Sequence, residues 1–274
     1  MTEIEFWKMS GSGNDFIIID NRNESLDPNN IKGFIKRVCG RRTSVGADGL
    51  ILIIKSKEYD FAWKFFNPDG NEVEMCGNGG RCIARFAYLK DIAGPEMTFD
   101  TLAGPIHASV KGRRVRILMP KIQDFKKDLS IGEIPDAKTI DFINTGVPHV
   151  VVIVDNIENY PVFDQGRKIR YHESFHPLGT NANFATINGM NRLNIRTYER
   201  GVEDETFSCG TGAVAAALTA SARDLVSPPV EVKTKGGEIL RIDFRKEGPS
   251  FKEVYMEGDT SIIYQARLNP EAYC

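Results

Sequence analysis

The sequence predicts an α+β protein of two pseudo-symmetric domains, each a strand-rich, barrel-like sheet around a central buried helix. Three observations support this prediction. The chain contains an internal repeat, short β-rich segments surround the centre of each repeat, and a helix-forming segment follows a Cys-Gly-x-Gly motif in each half. Many strands arranged around one apolar helix are typical of an α+β unit.

The repeat appears at an offset of 133 residues, which aligns residues 75–79 with residues 208–212. Across residues 46–106, 13 of 61 ungapped pairs are identical, whereas about 4 are expected between unrelated segments of ordinary composition. The chain is therefore interpreted as a duplication.

Each half contains the same order of predicted elements. In the first half these are strands at 16–19 and 50–54, an extended segment at 61–67, a helix at 79–90, and strands at 96–101, 105–110 and 114–119. In the second half they are strands at 150–154 and 184–187, an extended segment at 193–200, a helix at 213–223, and strands at 230–234, 238–244 and 252–257. The second helix has no charge before its last turn, which predicts burial on all sides.

The domain boundaries follow from these elements. Residues 120–138 are polar and contain Pro120 and Pro135, and we expect them to form a linker. The strand-like residues 261–264 have no counterpart in the first half, and we expect them to return to the first domain. The predicted domains are therefore residues 1–119 plus 260–274, and residues 120–259.

Composition excludes several classes of function. The chain has 274 residues, of which 41% are hydrophobic and 26% are charged, as in soluble globular proteins. Its 35 Lys and Arg are balanced by 37 Asp and Glu, so it lacks the basic footprint of a nucleic-acid-binding protein. No apolar run is long enough to cross a bilayer, and no signal peptide is visible. We expect a cytoplasmic protein with no nucleic-acid or membrane partner.

The five cysteines fall into two groups. Their odd number and the absence of a C-x-x-C pair argue against a disulfide scaffold and against structural zinc. Cys39 and Cys82 are expected to be small buried side chains, and Cys274 to lie in a frayed terminus. Cys76 and Cys209 instead occupy equivalent positions, each just before a Gly-x-Gly that begins a helix.

The repeated cysteines predict acid–base chemistry. A helix N-terminus carries unsatisfied N–H donors and partial positive charge, so it binds anions and lowers the pKa of a thiol. If the two halves face each other, a thiol would lie on each side of one carbon. One thiol could take a proton while the other delivers one, and both helix ends could stabilise the enolate-like charge. A thiol on each face of a carbon is what stereoinversion at that carbon requires.

Other polar residues accompany the two cysteines. The Arg200 guanidinium could hold a second carboxylate through two hydrogen bonds. Asn67, Asn183 and Glu199 could bind the far end of a substrate, and His149 could modulate a nearby thiol. Taken singly, each has an ordinary alternative role as a turn residue, a cap, a surface pair or a satisfied histidine.

Several motifs together resemble diaminopimelate epimerase, in order and with family spacing, over about residues 4–264. They lie at residues 8–16, 46–50, 66–70, 72–79, 179–184, 198–201 and 209–212. The resemblance implies a cofactor-independent, two-base epimerase that interconverts LL- and meso-2,6-diaminopimelate in lysine and peptidoglycan biosynthesis. It also implies two pseudo-symmetric domains and a homodimer.

The resemblance assigns roles to individual residues. Cys209 would be the proton acceptor and Cys76 the donor in the LL-to-meso direction, His149 and Glu199 would tune the thiols, and Tyr264 would be a dimer contact. The residues implied to contact substrate are Asn14, Asn67, Gly77, Asn78, Asn183, Glu199, Arg200, Gly210 and Thr211. No metal is implied.

Two positions depart from the family pattern. Val147 stands where many relatives have a substrate-binding Asn, and Gly49 stands where some have a Gln ligand. We expect neighbouring groups or water to replace these side-chain contacts.

Three other functions are weighed against this one. A proline- or hydroxyproline-type racemase would act on a small cyclic substrate, which would not need Arg200 and several Asn at a distal end. A pyridoxal-phosphate racemase would need a Schiff-base lysine in a phosphate-binding context, and no lysine here has one. A nucleotide-binding module could use the two Gly-rich loops for phosphate, but neither loop belongs to a complete phosphate-binding motif.

Overall fold

The computed structural model describes residues 4–27, 31–248 and 250–273; Cys274 therefore lies outside the described residues. The described chain forms two compact units. The first contains the residues up to Leu118 together with those from Gly258 onward, and the second extends from Met119 to Glu257.

The described residues contain 17 strands, four α-helices and two short 3-10 helices. The strands are β1 (Ile4–Gly11), β2 (Asn14–Asp20), β3 (Gly49–Ile54), β4 (Phe61–Phe66), β5 (Glu72–Val73), β6 (Glu96–Asp100), β7 (Ile106–Lys111), β8 (Arg114–Leu118), β9 (Gln123–Lys126), β10 (Ala137–Asn144), β11 (Pro148–Val154), β12 (Asn181–Ile187), β13 (Arg192–Glu199), β14 (Asp204–Thr206), β15 (Val230–Lys233), β16 (Ile239–Glu247) and β17 (Ser250–Leu268). The α-helices are α1 (Lys32–Val38), α2 (Gly77–Leu89), α3 (Val162–Arg170) and α4 (Gly210–Ala222). The 3-10 helices are Glu173–Phe175 and Pro270–Ala272.

In the first unit, eight strands form a closed ring. The order is β1-β2-β3-β4-β6-β7-β8-β17, and β17 pairs again with β1. The pairs β2–β3 and β4–β6 are parallel. The closing pair runs from Gly11 opposite Thr260 to Ile4 opposite Leu268. A closed ring has no unpaired edge strand.

The second unit repeats this pattern of strands. Its order is β9-β10-β11-β12-β13-β15-β16-β17, and its parallel pairs, β11–β12 and β13–β15, are the counterparts of β2–β3 and β4–β6. The order and the direction of the strands thus follow the sequence repeat. The predicted α+β fold of two pseudo-symmetric, strand-rich domains is confirmed.

Helices α2 and α4 are the central helices of the two units. Helix α2 packs against β1, β2, β3, β7 and β8, and α4 packs against β10, β11, β12, β13, β15 and β16. Ten of the 13 residues of α2 and 11 of the 13 residues of α4 are buried. Runs of Ala in α4 allow the strands to approach its backbone closely, and the buried Thr219 hydroxyl donates to the Ala215 carbonyl at 2.9 Å. The predicted burial of the second helix is confirmed.

Two further helices, α1 and α3, cover the opposite faces of the central strands. In the first unit, Ile17, Ile19, Leu50 and Leu52 pack in one cluster with Ile35 of α1. The corresponding cluster of the second unit joins β11 and β12 to α3. These strands are therefore buried on both faces, which explains their continuous apolar runs. The sequence analysis did not predict α1, α3, β1 or β10.

The predicted linker at residues 120–138 is wrong, because β9 lies within it. Lys126 pairs with Phe142 and Gln123 pairs with Asn144, so β9 extends the sheet of the second unit beside β10. The ring of Phe125 packs against that of Phe251 at a centroid distance of 6.2 Å. One aromatic residue among polar neighbours gives too little periodicity for a four-residue strand to be detected.

A buried ion pair near the end of α4 should contribute strongly to stability. Arg223 donates to both oxygens of Asp141, at 2.6 and 2.8 Å, and the Asp141 side chain is 1% exposed. We expect Asp141→Asn to lower the free energy of unfolding by about 1–3 kcal/mol, because the guanidinium loses its buried counter-charge and keeps only its pair with the exposed Asp128. Denaturant unfolding would measure the change.

The control for this prediction is Glu231→Ala. Glu231 forms a 2.9 Å pair with Arg192, and the two side chains are 46% and 66% exposed. Exposed pairs contribute about 0–1 kcal/mol. Equal losses from the two substitutions would contradict the role given to Asp141.

Candidate functional site

Both repeated cysteines are the N-cap residues of the central helices. Cys76 is extended, with φ −140° and ψ 114°, and its Sγ accepts from the Gly79 amide at 3.5 Å. Cys209 is also extended, with φ −123° and ψ 107°, and its Sγ lies 3.5 Å from Thr211 Oγ1. Cys76 is half-buried, whereas Cys209 is buried. Each sulfur thus lies at the positive end of a buried helix, where a thiolate is stabilised.

In the first unit, a chain of side-chain amides adjoins the start of α2. Asn14 donates to Asp48 at 3.1 Å and accepts from Asn78 at 2.7 Å. Asn78 accepts from Arg81 at 2.7 Å, and Arg81 also donates to Ser12. Asn78 and Arg81 are buried, and Asn14 is half-buried. This chain of hydrogen bonds fixes which end of each amide is the donor.

An ion-pair network adjoins this series of hydrogen bonds through Asp48, which accepts from Asn14. Asp15 accepts from Lys8 at 2.9 Å and from Arg41 at 2.7 Å, and Arg41 also binds Asp48 at 2.8 Å. Burial opposes ionisation of Asp15, but its bonds to Arg41 and Lys8 outweigh burial and lower the pKa of the carboxyl. The backbone N–H of Asp15 donates to the Asp48 carboxylate, and the backbone N–H of Asp48 donates to the Asp15 carboxylate. The start of β2, which carries Asn14, is therefore held in place.

Asn67 lies in a turn after β4 and is exposed. Its backbone N–H donates to the backbone carbonyl of Asn71 at 3.0 Å, and its backbone carbonyl accepts from the N–H of Gly70 at 2.9 Å. Gly70 has a φ of +76°, which favours glycine. The turn leaves the Asn67 side chain at the surface of the first unit.

In the second unit, the side chain of Asn183 joins three strands. Its Nδ2 donates to Val150 O at 2.9 Å and lies 3.0 Å from His149 Nδ1. Its Oδ1 accepts from Thr197 Oγ1 at 3.0 Å. Asn183 and His149 have no exposed surface. Direct contact between Asn183 and a substrate stays a prediction, whereas its contact with His149 is structural.

His149 is neutral at ordinary pH. Burial, followed by the positive charge of Arg200, lowers the pKa of its imidazole from 6.5 to about 3. A group that protonates only near pH 3 cannot be a cation at pH 7. The structure therefore brings His149 close enough to Arg200 for the two to interact, and it keeps the imidazole uncharged.

Arg200 follows β13 and is half-buried. Its backbone amide donates to Asn181 Oδ1 at 2.8 Å, and its guanidinium donates to Leu178 O at 3.1 Å. Asn181 in turn donates to Pro148 O at 3.1 Å. Glu199, the last residue of β13, is also half-buried. Asn181 thus ties the Arg200 backbone to the strand that carries His149.

Several side chains that hold the candidate site residues in place were not predicted from the sequence. They are Ser12, Asp48, Arg81, Thr145, Asn181 and Thr197. Thr145 Oγ1 donates to the carbonyl of Thr211 at 3.1 Å. At the repeat offset, Thr145 is the counterpart of Ser12, so a hydroxyl repeated in both halves was a usable signal.

The two departures from the family pattern differ in structure. Val147 is half-buried, and its carbonyl accepts from Thr145 N at 3.2 Å. Gly49 has no room for a side chain, because an added Cβ would lie 2.5 Å from the Phe65 ring and 2.7 Å from Phe66 O. A Gln at this position would require Phe65 to move.

The remaining candidates are Tyr264, Cys39 and Cys82. The Tyr264 ring contacts the Phe6 ring edge-on at 5.8 Å and is 41% exposed, and its role in a dimer stays a prediction. Cys39 and Cys82 are buried as predicted, and burial raises the pKa of the Cys39 thiol to about 12.

Across residues 4–27, 31–248 and 250–273, no group of three or more His, Cys, Asp or Glu side chains could hold a metal ion. None of the helices in these ranges has both the length and the apolar composition needed to span a membrane.

Gly212 is predicted to be intolerant of any side chain. A Cβ at Gly212 would lie 2.3 Å from Asn183 Oδ1, which is held by hydrogen bonds, whereas a Cβ at Gly79 would meet the mobile end of Ile51 at 3.2 Å. We expect Gly212→Ala to lower the free energy of unfolding by about 1–3 kcal/mol through overpacking. Gly79→Ala should change it by less than about 1 kcal/mol, because the gain in helix propensity offsets the contact. Thermal unfolding of both variants tests this, and equal effects would contradict it.

His149 should make the protein less stable in mild acid. The unfolded state takes up a proton near pH 6.5, whereas the folded state does so only near pH 3. The free energy of unfolding therefore falls as pH decreases through this window, by roughly 2 kcal/mol between pH 7 and pH 5. Denaturant unfolding at the two pH values should show a smaller difference in His149→Gln. An unchanged difference would mean that His149 titrates alike in the two states.

The chain is similar to known proteins over most of its length. The model of the family described as diaminopimelate epimerase matches residues 6–122 and 142–263. A diaminopimelate epimerase from Aquifex aeolicus (strain VF5) is 46% identical over 282 residues, covering 98% of this chain and 99% of that protein.

Two solved structures share the fold. A phenazine biosynthesis protein of the PhzF family from Bacillus anthracis has a TM-score of 0.73 at 16% identity, covering 98% of this chain and 100% of its own. A probable proline racemase from Agrobacterium radiobacter K84 has a TM-score of 0.67 at 16% identity, covering 98% and 95%. At such identities the likeness shows the fold alone. Since the family model matches most of the chain and the Aquifex relative aligns with nearly all of it, this chain belongs to the diaminopimelate epimerase family and is an isomerase.

Proposed function

We propose that this chain interconverts LL- and meso-2,6-diaminopimelate through two bases, Cys76 and Cys209, without a cofactor. The observation that carries the proposal is that the two cysteines cap equivalent 13-residue helices at the same repeat position. Family membership supports diaminopimelate as the substrate. The wider proposal is a cytoplasmic enzyme of lysine and peptidoglycan biosynthesis that forms a homodimer through Tyr264.

In the proposed reaction, the Cys209 thiolate removes the α-proton of the LL isomer. The electron pair left on carbon is delocalised into the adjacent carboxylate, which gives an enediolate-like intermediate. The Cys76 thiol then protonates the opposite face and becomes the thiolate. Each inversion therefore exchanges the protonation states of the two cysteines, and the reverse reaction restores them.

Backbone amides at the two helix N-termini would stabilise the charge on the reacting carboxylate. In the first turns of α2 and α4, the motif glycines Gly77, Gly79, Gly210 and Gly212 carry no side chain that would keep a ligand away from these amides. Asn78 and Thr211 lie between the glycines, so they are proposed to contact the same end of the substrate. Since the developing charge is stabilised by fixed donors, the scheme needs no electron-accepting cofactor.

The distal end of the substrate is assigned to the other polar residues. Arg200 would bind the second carboxylate, with Asn14, Asn67, Asn183 and Glu199 as further contacts; His149 and Glu199 would tune the thiols. The planar guanidinium of Arg200 has a donor geometry suited to a carboxylate. Asn181 fixes the backbone that carries it. Val147 cannot supply the amide that many relatives have, so part of this recognition is proposed to pass through neighbours or water.

A proline-type racemase remains the second candidate, because a probable proline racemase shares the fold. The positive charge of Arg200 favours the diacidic substrate over a cyclic amino acid. Chiral chromatography of the purified protein with LL-diaminopimelate, and separately with L-proline, would distinguish the two. Turnover of proline alone would refute the proposed substrate.

The two-base assignment predicts how hydrogen isotopes enter the product. In D2O, the thiol that protonates the intermediate carries solvent deuterium, whereas the thiol that removed the substrate proton still holds that proton. Early meso product should therefore contain one deuterium at the inverted centre, and recovered LL substrate almost none. Mass spectrometry at low conversion measures both pools. Substantial unlabelled meso product would refute two opposed bases.

Substitution of either cysteine tests the same assignment. We expect Cys76→Ala and Cys209→Ala to lower the rate of epimerisation by at least about 10³-fold, because each leaves one face without a proton carrier. Cys39→Ala is the matched control, since Cys39 is buried with a raised pKa. Near-normal activity in either active-site variant would exclude that cysteine.

A further inference from the structure

The imidazole of His149 contains a buried polar atom with no hydrogen-bond partner. His149 has no exposed surface, and no hydrogen bond to its Nε2 occurs among the residues that the structure describes. A buried polar atom left without a partner costs about 1–3 kcal/mol. A bound group or an ordered water molecule would satisfy such an atom.

The orientation of the Asn183 amide decides which atom of His149 carries the proton. Asn183 Nδ2 lies 2.9 Å from Val150 O, and Asn183 Oδ1 lies 3.0 Å from Thr197 Oγ1. A carbonyl only accepts, so the end that faces Val150 must be the NH2 group. The same NH2 group lies 3.0 Å from His149 Nδ1, which must therefore accept. The single proton of a neutral imidazole is then on Nε2.

Val150 O fixes this orientation, and Thr197 supports it by donating to the amide oxygen. Thr197 lies directly opposite Asn183 in the antiparallel register of β12 and β13, and it is buried. The first turn of α4 confines the amide from another side, because Gly212 leaves just enough space beside Asn183 Oδ1. A hydroxyl at Thr197 thus stabilises the amide oxygen on one side, and the Val150 carbonyl stabilises the amide nitrogen on the other.

We propose that Thr197 and Asn183 are positioning residues that hold His149 as its Nε2–H tautomer, so that His149 donates a hydrogen bond to an anionic oxygen of the bound amino acid and does not exchange a proton with it. This inference rests on the proposed function for the identity of the ligand. Burial and the positive charge of Arg200 lower the pKa of His149 to about 3, which agrees with a neutral donor. The positive charge of Arg200, which disfavours the imidazolium form of His149, would also attract the anionic oxygen of the ligand.

The tautomer can be observed directly. A long-range 1H–15N correlation spectrum of the wild-type protein at pH 7 should show a protonated Nε2 and an unprotonated Nδ1 on His149. Asn183→Asp places a carboxylate, which only accepts, beside Nδ1, so the proton should move to Nδ1. Thr197→Val removes the donor to Asn183 Oδ1 but leaves Val150 O, so it should increase the share of the Nδ1–H tautomer without making it dominant. Thr197→Ser should restore the wild-type pattern because the hydroxyl is kept.

Kinetics provide the second readout. We expect Thr197→Val to lower kcat about 10–100-fold, as the loss of an orienting residue commonly does, and Thr197→Ser to recover most of the activity. Thr219→Val is the control, because Thr219 is equally buried and its hydroxyl bonds only within α4. A wild-type proton on Nδ1 would overturn the proposal, as would a Thr197→Val protein with unchanged tautomer and unchanged kcat.

Two further outcomes are distinguishable. If Thr197→Val does not fold, Asn183→Asp and the wild-type spectrum still decide the tautomer. If the purified protein does not epimerise diaminopimelate but His149 shows a protonated Nε2, the proposed function fails and the structural inference stands. If it epimerises diaminopimelate with the proton on Nδ1, the inference fails and the proposed function stands.

Discussion

The chemistry of this chain depends on one constraint, the burial of an entire helix within a set of strands. The side chains of a helix surrounded in this way must be apolar, small or hydrogen-bonded; the Ala-rich α4 is almost entirely apolar or small, whereas α2 buries Asn78 and Arg81 in hydrogen bonds. The backbone groups of such a helix bond internally except at the ends, where the first N–H groups have no partner within the helix. The unsatisfied donors and the positive end of the dipole are thereby concentrated at the N-terminus. In each unit a cysteine occupies that position.

The duplication preserved this backbone and changed the side chains around it. In the first unit, Asn78 and Arg81 extend from α2 into a network of amides and charges. Their counterparts at the repeat offset are Thr211 and Val214, and the polar contacts of the second unit come instead from strands that carry His149 and Asn183. The two cysteines therefore occupy similar backbones in different electrostatic surroundings. In the proposed reaction, such different surroundings would suit an acid and a base that exchange roles between the two directions.

The sequence predicts those parts of the molecule that are local in the chain. The repeat identified both central helices and both capping cysteines, because glycine motifs and apolar periodicity are short-range signals. Both helices begin two to three residues earlier than predicted, at Gly77 and Gly210, because a glycine after the cap can continue the helix. The positioning residues escaped detection for a different reason. Thr197 acts on Asn183 through the register of two strands, and register depends on tertiary packing that a single sequence does not display.

Strand β17 has a consequence for the time at which the first unit can fold. The ring of that unit closes when Ile4 pairs with Leu268, which joins the two ends of the described chain. During synthesis, α2 and seven strands of the ring emerge long before the eighth. A nascent chain must therefore hold α2 and two unpaired strand edges until β17 has been synthesised. Contacts of such long sequence separation slow folding and expose aggregation-prone surface in the meantime. For this fold, the period during which strand edges stay unpaired is set by the order in which the strands leave the ribosome.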